Sequence, residues 1–109
     1  MFPMRQMTAP ELHDYLATAD PPPLLLDVRE PWEFEHCHIE GSRLLPMGQI
    51  PARRDELDPQ AEIVVICHHG VRSQQVAGFL ERSGFDHVIN LRGGVDAWAR
   101  EVDVHMPTY

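Results

Sequence analysis

Cys67 stands where the apolar run Ile63 to Ile66 ends and the polar loop His68-His69-Gly70-Val71-Arg72-Ser73 begins. A thiol in that setting is a nucleophile in waiting. It reacts as its thiolate, which needs positive potential and access, and the free backbone N–H groups at a helix N-terminus supply the first. Gly70 allows backbone torsions that a side-chain-bearing residue resists, so consecutive N–H groups can turn inward as an anion-binding nest. Arg72 offers a permanently charged fork suited to a planar or tetrahedral oxyanion, and His68 and His69 can donate to a bound anion or tune the thiolate. Together with Val71, whose backbone belongs to the same cradle, these residues form the candidate binding loop. A lone cysteine is more often a small buried hydrophobe; the company Cys67 keeps argues against that here.

The elements around the loop must hold it at one edge of a sheet. Ile63-Val64-Val65-Ile66 is β-branched and apolar on both faces, as a strand buried in a parallel sheet should be. Beyond the loop, Val76, Phe79 and Leu80 fall at helical spacing with Ala77 beside them, until Ser83-Gly84 stops the pattern. A residue between such a strand and helix lies at the carboxyl end of the sheet, where open α/β folds place their ligands. The rest of the chain alternates in the same way. Ala9 to Ala17 reads as helix, with Thr8 as N-cap, Pro10 in the first turn and Glu11 completing a capping box. Pro21-Pro22-Pro23 ends that unit, and a connector is a more economical reading of it than a polyproline ligand. Leu24 to Val28 comes next as a buried strand. Trp32 to His36 reads as a helical turn, Arg43 to Pro46 as a brief strand and Gln49 to Leu57 as helix. His87 to Leu91 is the last strand and Val95 to Val102 the last helix, while Arg5 to Met7 is the weakest strand signal. Trp98 and Phe79, at helical spacing, are core residues. Such alternation predicts parallel strands joined by right-handed crossovers, an α/β three-layer sandwich.

The loop resembles the active-site segment of the rhodanese family of sulfurtransferases, in which Cys-x-x-Gly-x-Arg follows a central strand and opens a helix. Two further segments carry the same resemblance in family order. Leu24 to Met47, with Asp27-Val28-Arg29 and His38-Ile39, is similar to the amino-terminal signature; Val88 to Trp98, with Gly93-Gly94 and Ala97-Trp98, is similar to the carboxy-terminal one. The resemblance implies one domain over residues 1–109 and a five-stranded, mostly parallel sheet with helices on both faces. It also implies an activity: thiosulfate sulfurtransfer through a persulfide on Cys67, with ping-pong kinetics, to cyanide, thioredoxin or another thiol acceptor, without a cofactor. Asp27 and Arg29 share the sheet edge with Cys67 and are expected to support the loop from behind, with Ser73 beside it. Related phosphatases and arsenate reductases keep five residues between Cys and Arg. Here four intervene, His68 to Val71, a ring better sized for sulfur than for phosphate. A persulfide relay or a non-catalytic interaction module are the other readings; members of the second kind commonly lack the cysteine that this chain keeps.

Cys37 departs from the family pattern, which has glycine there, and its neighbours His36 and His38 invite a zinc or copper reading. Adjacent residues do not readily face one ion, and no paired ligand spacing accompanies them, so no metal is expected. Cys37 is left as a second thiol, able to resolve a Cys67 persulfide or to form a disulfide. The net charge of −8, with all nine basic residues arginine and scattered, opposes nucleic acid and anionic membranes, which demand basic patches. The sequence contains no long apolar segment and no secretory leader pattern. With two cysteines giving no disulfide framework, a monomer in the cytoplasm is the expectation.

Overall fold

The protein, described here by a computed structural model over residues 5–109, alternates strand and helix along its length. The strands are β1 (Arg5–Met7), β2 (Leu24–Asp27), β3 (Arg43–Leu44), β4 (Ile63–Ile66) and β5 (Val88–Leu91). The helices are α1 (Ala9–Thr18), α2 (Pro31–His36), α3 (Ile50–Arg53), α4 (Val71–Arg82) and α5 (Gly94–Glu101). The sheet runs β1-β5-β4-β2-β3 and every pairing in it is parallel. The antiparallel strand that a mostly parallel sheet would allow does not occur among the described residues. β4 sits at the centre with all four residues buried.

Side chains alternate across β4 and so feed two separate cores. Ile63 and Val65 pack with Leu26, Ile50, Leu80 and Phe85 on the side of α3 and α4, while Val64 and Ile66 pack with Leu12, Ile89 and Trp98 on the side of α1 and α5. Each fully buried aliphatic side chain stabilises the fold by roughly 1.5 to 3 kcal/mol. Phe79 lies against the first core, partly buried, and Trp98 is in the second. α1 starts as its sequence dictates: the Thr8 hydroxyl accepts from the Glu11 N–H, and the Glu11 carboxylate accepts from the Thr8 N–H.

Two expectations shift. The segment read as one helix from Gln49 to Leu57 is instead a 3-10 turn at Met47–Gln49, the single turn of α3 and a second 3-10 turn at Arg54–Glu56. Pro51 cannot donate into a longer ladder, and Ile50 and Leu57 alone anchor the stretch to the core. The strand at Arg43 to Pro46 shrinks to β3, although Leu45 still donates to the Asp27 carbonyl at 2.8 Å and Met47 to that of Val28 at 2.9 Å. Pro46, between them, has no N–H to give.

Candidate active site

The loop from Cys67 to Arg72 leaves the carboxyl end of β4 and becomes α4 at Val71. Gly70 caps that helix at φ 98°, in the left-handed region that favours glycine, and the consequence is direct: its N–H points back at the Cys67 Sγ, 3.0 Å away. Ser73, in the first turn of α4, places its hydroxyl 3.3 Å from the same sulfur, where it accepts from the thiol. That hydroxyl donates in turn to the Asn90 Oδ1 of β5 at 2.5 Å, and the Asn90 amide donates to the Gly70 carbonyl at 3.3 Å. The sulfur therefore sits at a helix N-terminus with a backbone donor aimed at it, which is the arrangement that stabilises a sulfur anion.

The far side of the loop is fixed by α5. Val95 N–H donates to the Cys67 carbonyl at 2.9 Å and Asp96 N–H to the His68 carbonyl at 3.0 Å. These are donors that the first turn of a helix leaves unpaired. Because a trans peptide sets N–H opposite C=O, tying down these two carbonyls turns the amides of His68 and His69 away from α5. Gly94 makes the approach possible: a Cβ there would lie 2.2 Å from the Cys67 carbonyl oxygen and 2.5 Å from that of His68.

Arg72, the candidate oxyanion clamp, is paired within the protein. Its fork is committed to Glu33 of α2, with Nη1 and Nη2 donating to the two carboxylate oxygens at 2.7 and 2.8 Å. Charge-assisted, two-point pairing of this kind is strong and directional, and the Glu33 side chain is almost wholly buried. The Arg72 fork, helped by the Glu30 N–H and the Tyr109 hydroxyl, holds the Glu33 carboxyl down at about 2 although burial works the other way. The Arg72 pKa is raised in return, first through its bonds to Glu33. Arg72 thus ties the loop to α2.

Asp27 and Arg29 form a fully buried pair at the end of β2, Nη2 to Oδ2 at 2.7 Å. Burial opposes the Arg29 charge, but Asp27 and Tyr109 outweigh it and raise the pKa. The remaining guanidinium donors reach the Cys37 carbonyl at 2.7 Å, the Glu33 carbonyl at 3.3 Å and the Tyr109 hydroxyl at 2.7 Å. The pair therefore fixes the C-terminal turn of α2, and through Glu33 it bears on the loop. Cys37 is buried beside it, 3.9 Å from Arg29 Nη1, and both cysteines are free thiols.

His68 and His69 stack on each other with ring centres 3.9 Å apart. Burial first, and then the neighbouring His69, lowers the His68 pKa. His69 is largely exposed, and so is Val71. His68, His69 and Asp96 bring one ligand atom each within 4.8 Å of one another, but the Asp96 carboxylate is already paired with Arg100 at 3.0 Å. Glu33, Asn90, Gly94 and Tyr109 escaped the sequence reading as site residues. Asn90 had a signal, a polar side chain inside an apolar strand, and Glu33 had the Glu30–Glu33 capping box that begins α2; Tyr109 had none.

Known proteins resemble this chain in sequence and in fold. The family model described as a rhodanese-like domain matches residues 8–101. A sulfurtransferase of Allochromatium vinosum is 42% identical over 77 residues, covering 71% of this chain and 72% of that protein. The thiosulfate sulfurtransferase GlpE of Actinobacillus pleuropneumoniae is 36% identical over 76 residues, covering 70% of each. A longer relative, the chloroplastic rhodanese-like/PpiC domain-containing protein 12 of Arabidopsis thaliana, is 36% identical across 98% of the chain, which spans 38% of that protein. Among solved structures, a rhodanese-like domain protein from Staphylococcus aureus superposes with a TM-score of 0.83 at 31% identity, covering 91% of this chain and 95% of that one.

Proposed function

We propose, from the premise that the chain belongs to the rhodanese-like domain family of sulfurtransferases, that it moves sulfane sulfur from thiosulfate to a nucleophilic acceptor through a persulfide on Cys67. The observation that carries the reading is the Gly70 N–H aimed at the Cys67 sulfur from 3.0 Å at the start of α4. The GlpE relative supports the choice of donor.

In the first half-reaction the Cys67 thiolate attacks the outer sulfur of thiosulfate. A new S–S bond forms, the original S–S bond breaks, and sulfite departs with the bonding pair, leaving Cys67–S–S⁻. In the second, an acceptor attacks the terminal sulfur and Cys67 recovers its electron pair as thiolate. Cyanide becomes thiocyanate; a thiol such as thioredoxin becomes a persulfide. Two half-reactions through a covalent enzyme form give ping-pong kinetics. The Gly70 N–H serves both the thiolate and the persulfide, and donors preorganised for developing charge contribute most where water is excluded. With Arg72 engaged by Glu33, the anionic donor is met by loop amides and helix dipole rather than by a free guanidinium.

Exposure to thiosulfate is expected to add one sulfur atom to Cys67, seen by intact-mass and peptide analysis, and Cys67→Ala to abolish both loading and thiocyanate formation. Cys37→Ser keeps most of the activity. Transfer at near wild-type rate by Cys67→Ala ends the mechanism; loss confined to Cys37→Ser reassigns the nucleophile.

A further inference from the structure

A thiol that must accept sulfur and then surrender it needs an opening, yet Cys67 is only 1% exposed. Its own loop and α4 enclose the sulfur, and the segment beyond α5 lies against that loop at His68. Residues 102–109 turn back across the sheet edge, with Met106 packed on the α1–α5 core and His36 Nε2 donating to the Thr108 carbonyl at 3.1 Å. Tyr109 then lies over the loop. Its ring stacks on His68 at 4.1 Å and 17°, and meets Trp32 and His36 edge-on, each at 5.4 Å. Its hydroxyl accepts from Arg29 Nη1 at 2.7 Å and donates to Glu33 Oε2 at 2.8 Å. One residue thus touches both ends of the reactive loop, His68 directly and Arg72 through Glu33. Tyr109 also closes a narrow cleft with Cys37, His68 and Asp96, beside the loop and not lined by Cys67.

This cover is built to come off. Tyr109 is itself 37% exposed, and Trp32 beneath its edge is 61% exposed, so the ring sits at the surface and is not sealed into a core. Neither hydrogen-bond partner is orphaned. Arg29 Nη1 keeps the Glu33 carbonyl, and Glu33 Oε2 keeps Arg72 Nη2. A residue that completed the core would leave buried polar atoms unpaired on departure; this one does not. Burial first, and then its bond to Glu33, pushes the Tyr109 hydroxyl up to about 12, so it stays a neutral donor while seated.

We propose that Tyr109 is a specificity-determining gate of the sulfur site. Seated, it closes the approach to Cys67; briefly lifted, it admits small thio-anions and discriminates against bulky thiols and persulfides. The selectivity rests on the sulfur-transfer reading, whereas the gating does not.

Alkylation of Cys67 in the absence of any sulfur donor tests the gate alone, read by peptide mass analysis that separates Cys67 from Cys37. Tyr109→Ala is expected to speed modification by N-phenylmaleimide by about tenfold or more, because the competent state no longer has to be drawn from a minor population, and by smaller iodoacetamide to a lesser degree. Tyr109→Phe, which keeps the stack and loses both hydroxyl bonds, falls between. Trp32→Ala, an exposed residue outside the polar network, shifts both rates the same way by less and guards against a folding defect in the first variant. Rates that stay within about twofold across all three variants overturn the gate. Sulfur loading then tests selectivity: Tyr109→Ala should raise loading by glutathione persulfide relative to thiosulfate, and an unchanged ratio removes the selectivity. Faster alkylation in a protein that transfers no sulfur would leave the gate standing and remove the proposed function instead.

Discussion

Strands β4 and β5 end alike but lead into different turns. Each gives way to a glycine in the left-handed region that caps the next helix, Gly70 at φ 98° before α4 and Gly93 at φ 80° before α5. The first turn is longer and carries the thiol and the histidines, with Arg72 just inside the helix that follows. The second is short and carries a further positive-φ glycine, Gly94 at φ 57°, pressed against the carbonyls of the first. Reactivity sits in one loop and its shape is imposed by the other. Separating the two tasks lets the reactive loop hold side chains that add little to folding, because the amides of Val95 and Asp96 fix its backbone from outside.

The sharpest way to break that division is Gly94→Ala. The new Cβ would meet the Cys67 and His68 carbonyls at 2.2 and 2.5 Å, all backbone, in a conformation alanine resists. Strain and overpacking each cost on the order of 1 to 3 kcal/mol, so a combined loss of more than about 3 kcal/mol in urea denaturation is expected, with sulfur transfer falling in step. Cys67→Ala, by contrast, is expected to abolish transfer with little change in stability. If Gly94→Ala unfolds at the wild-type midpoint, α5 is no brace.

Legibility in the sequence divides along the same line. Cys67, Gly70 and the helix after them could be read because each depends on neighbours a few residues away: an apolar strand, a glycine, a helical period. The commitment of Arg72 to Glu33 could not, since those residues are 39 apart and meet only once the sheet order brings α2 beside the loop. Tyr109, 76 residues from Glu33, has no local signature at all. Asn90 was visible as a polar residue in an apolar strand, but its partners Ser73 and Gly70 belong to another element. Local pattern also overreached at Gln49 to Leu57, where a helical period was present and the buried face needed to sustain it was not.

A smaller effect tests the tie from the reactive loop to α2. Glu33 ionises at about 2 in the folded protein against an ordinary 4.5, a difference of roughly 3 kcal/mol. The sign is that of a depressed carboxylate. Its contribution is present in full above about pH 4.5 and is lost as the pH falls from there through about 2. Acid denaturation should therefore steepen in that window for wild type and flatten there for Glu33→Gln, which has no proton to gain. Arg72→Ala should lower stability and weaken thiosulfate and a neutral sulfur donor to similar degrees. A loss confined to thiosulfate would return Arg72 to direct contact with the anion and detach it from the structural role the Glu33 pair gives it.

The smallest effect comes from a buried polar link between the start of α4 and β5. Ser73 accepts from the Cys67 thiol and donates to Asn90 of β5, and Asn90 donates back to the Gly70 carbonyl. Both side chains are buried. Ser73→Ala leaves the Asn90 Oδ1 without its donor, and a buried unpaired acceptor costs about 1 to 3 kcal/mol. Sulfur loading should fall only several-fold, because the Gly70 N–H still faces the sulfur. Asn90→Ala removes the same bond from the other end, so in a double-mutant cycle the two losses should fall short of additive by about 1 kcal/mol. Stability measured by urea denaturation and loading measured by mass give the cycle twice, once for folding and once for chemistry. Coupling in stability alone means that Asn90 holds the loop without touching its reactivity. Coupling in both means that β5 reaches the sulfur through Ser73, and the division between a reactive turn and a bracing one is then incomplete at this bond. Strict additivity in both would leave the backbone contacts of α5 as the sole connection, the stronger form of the comparison.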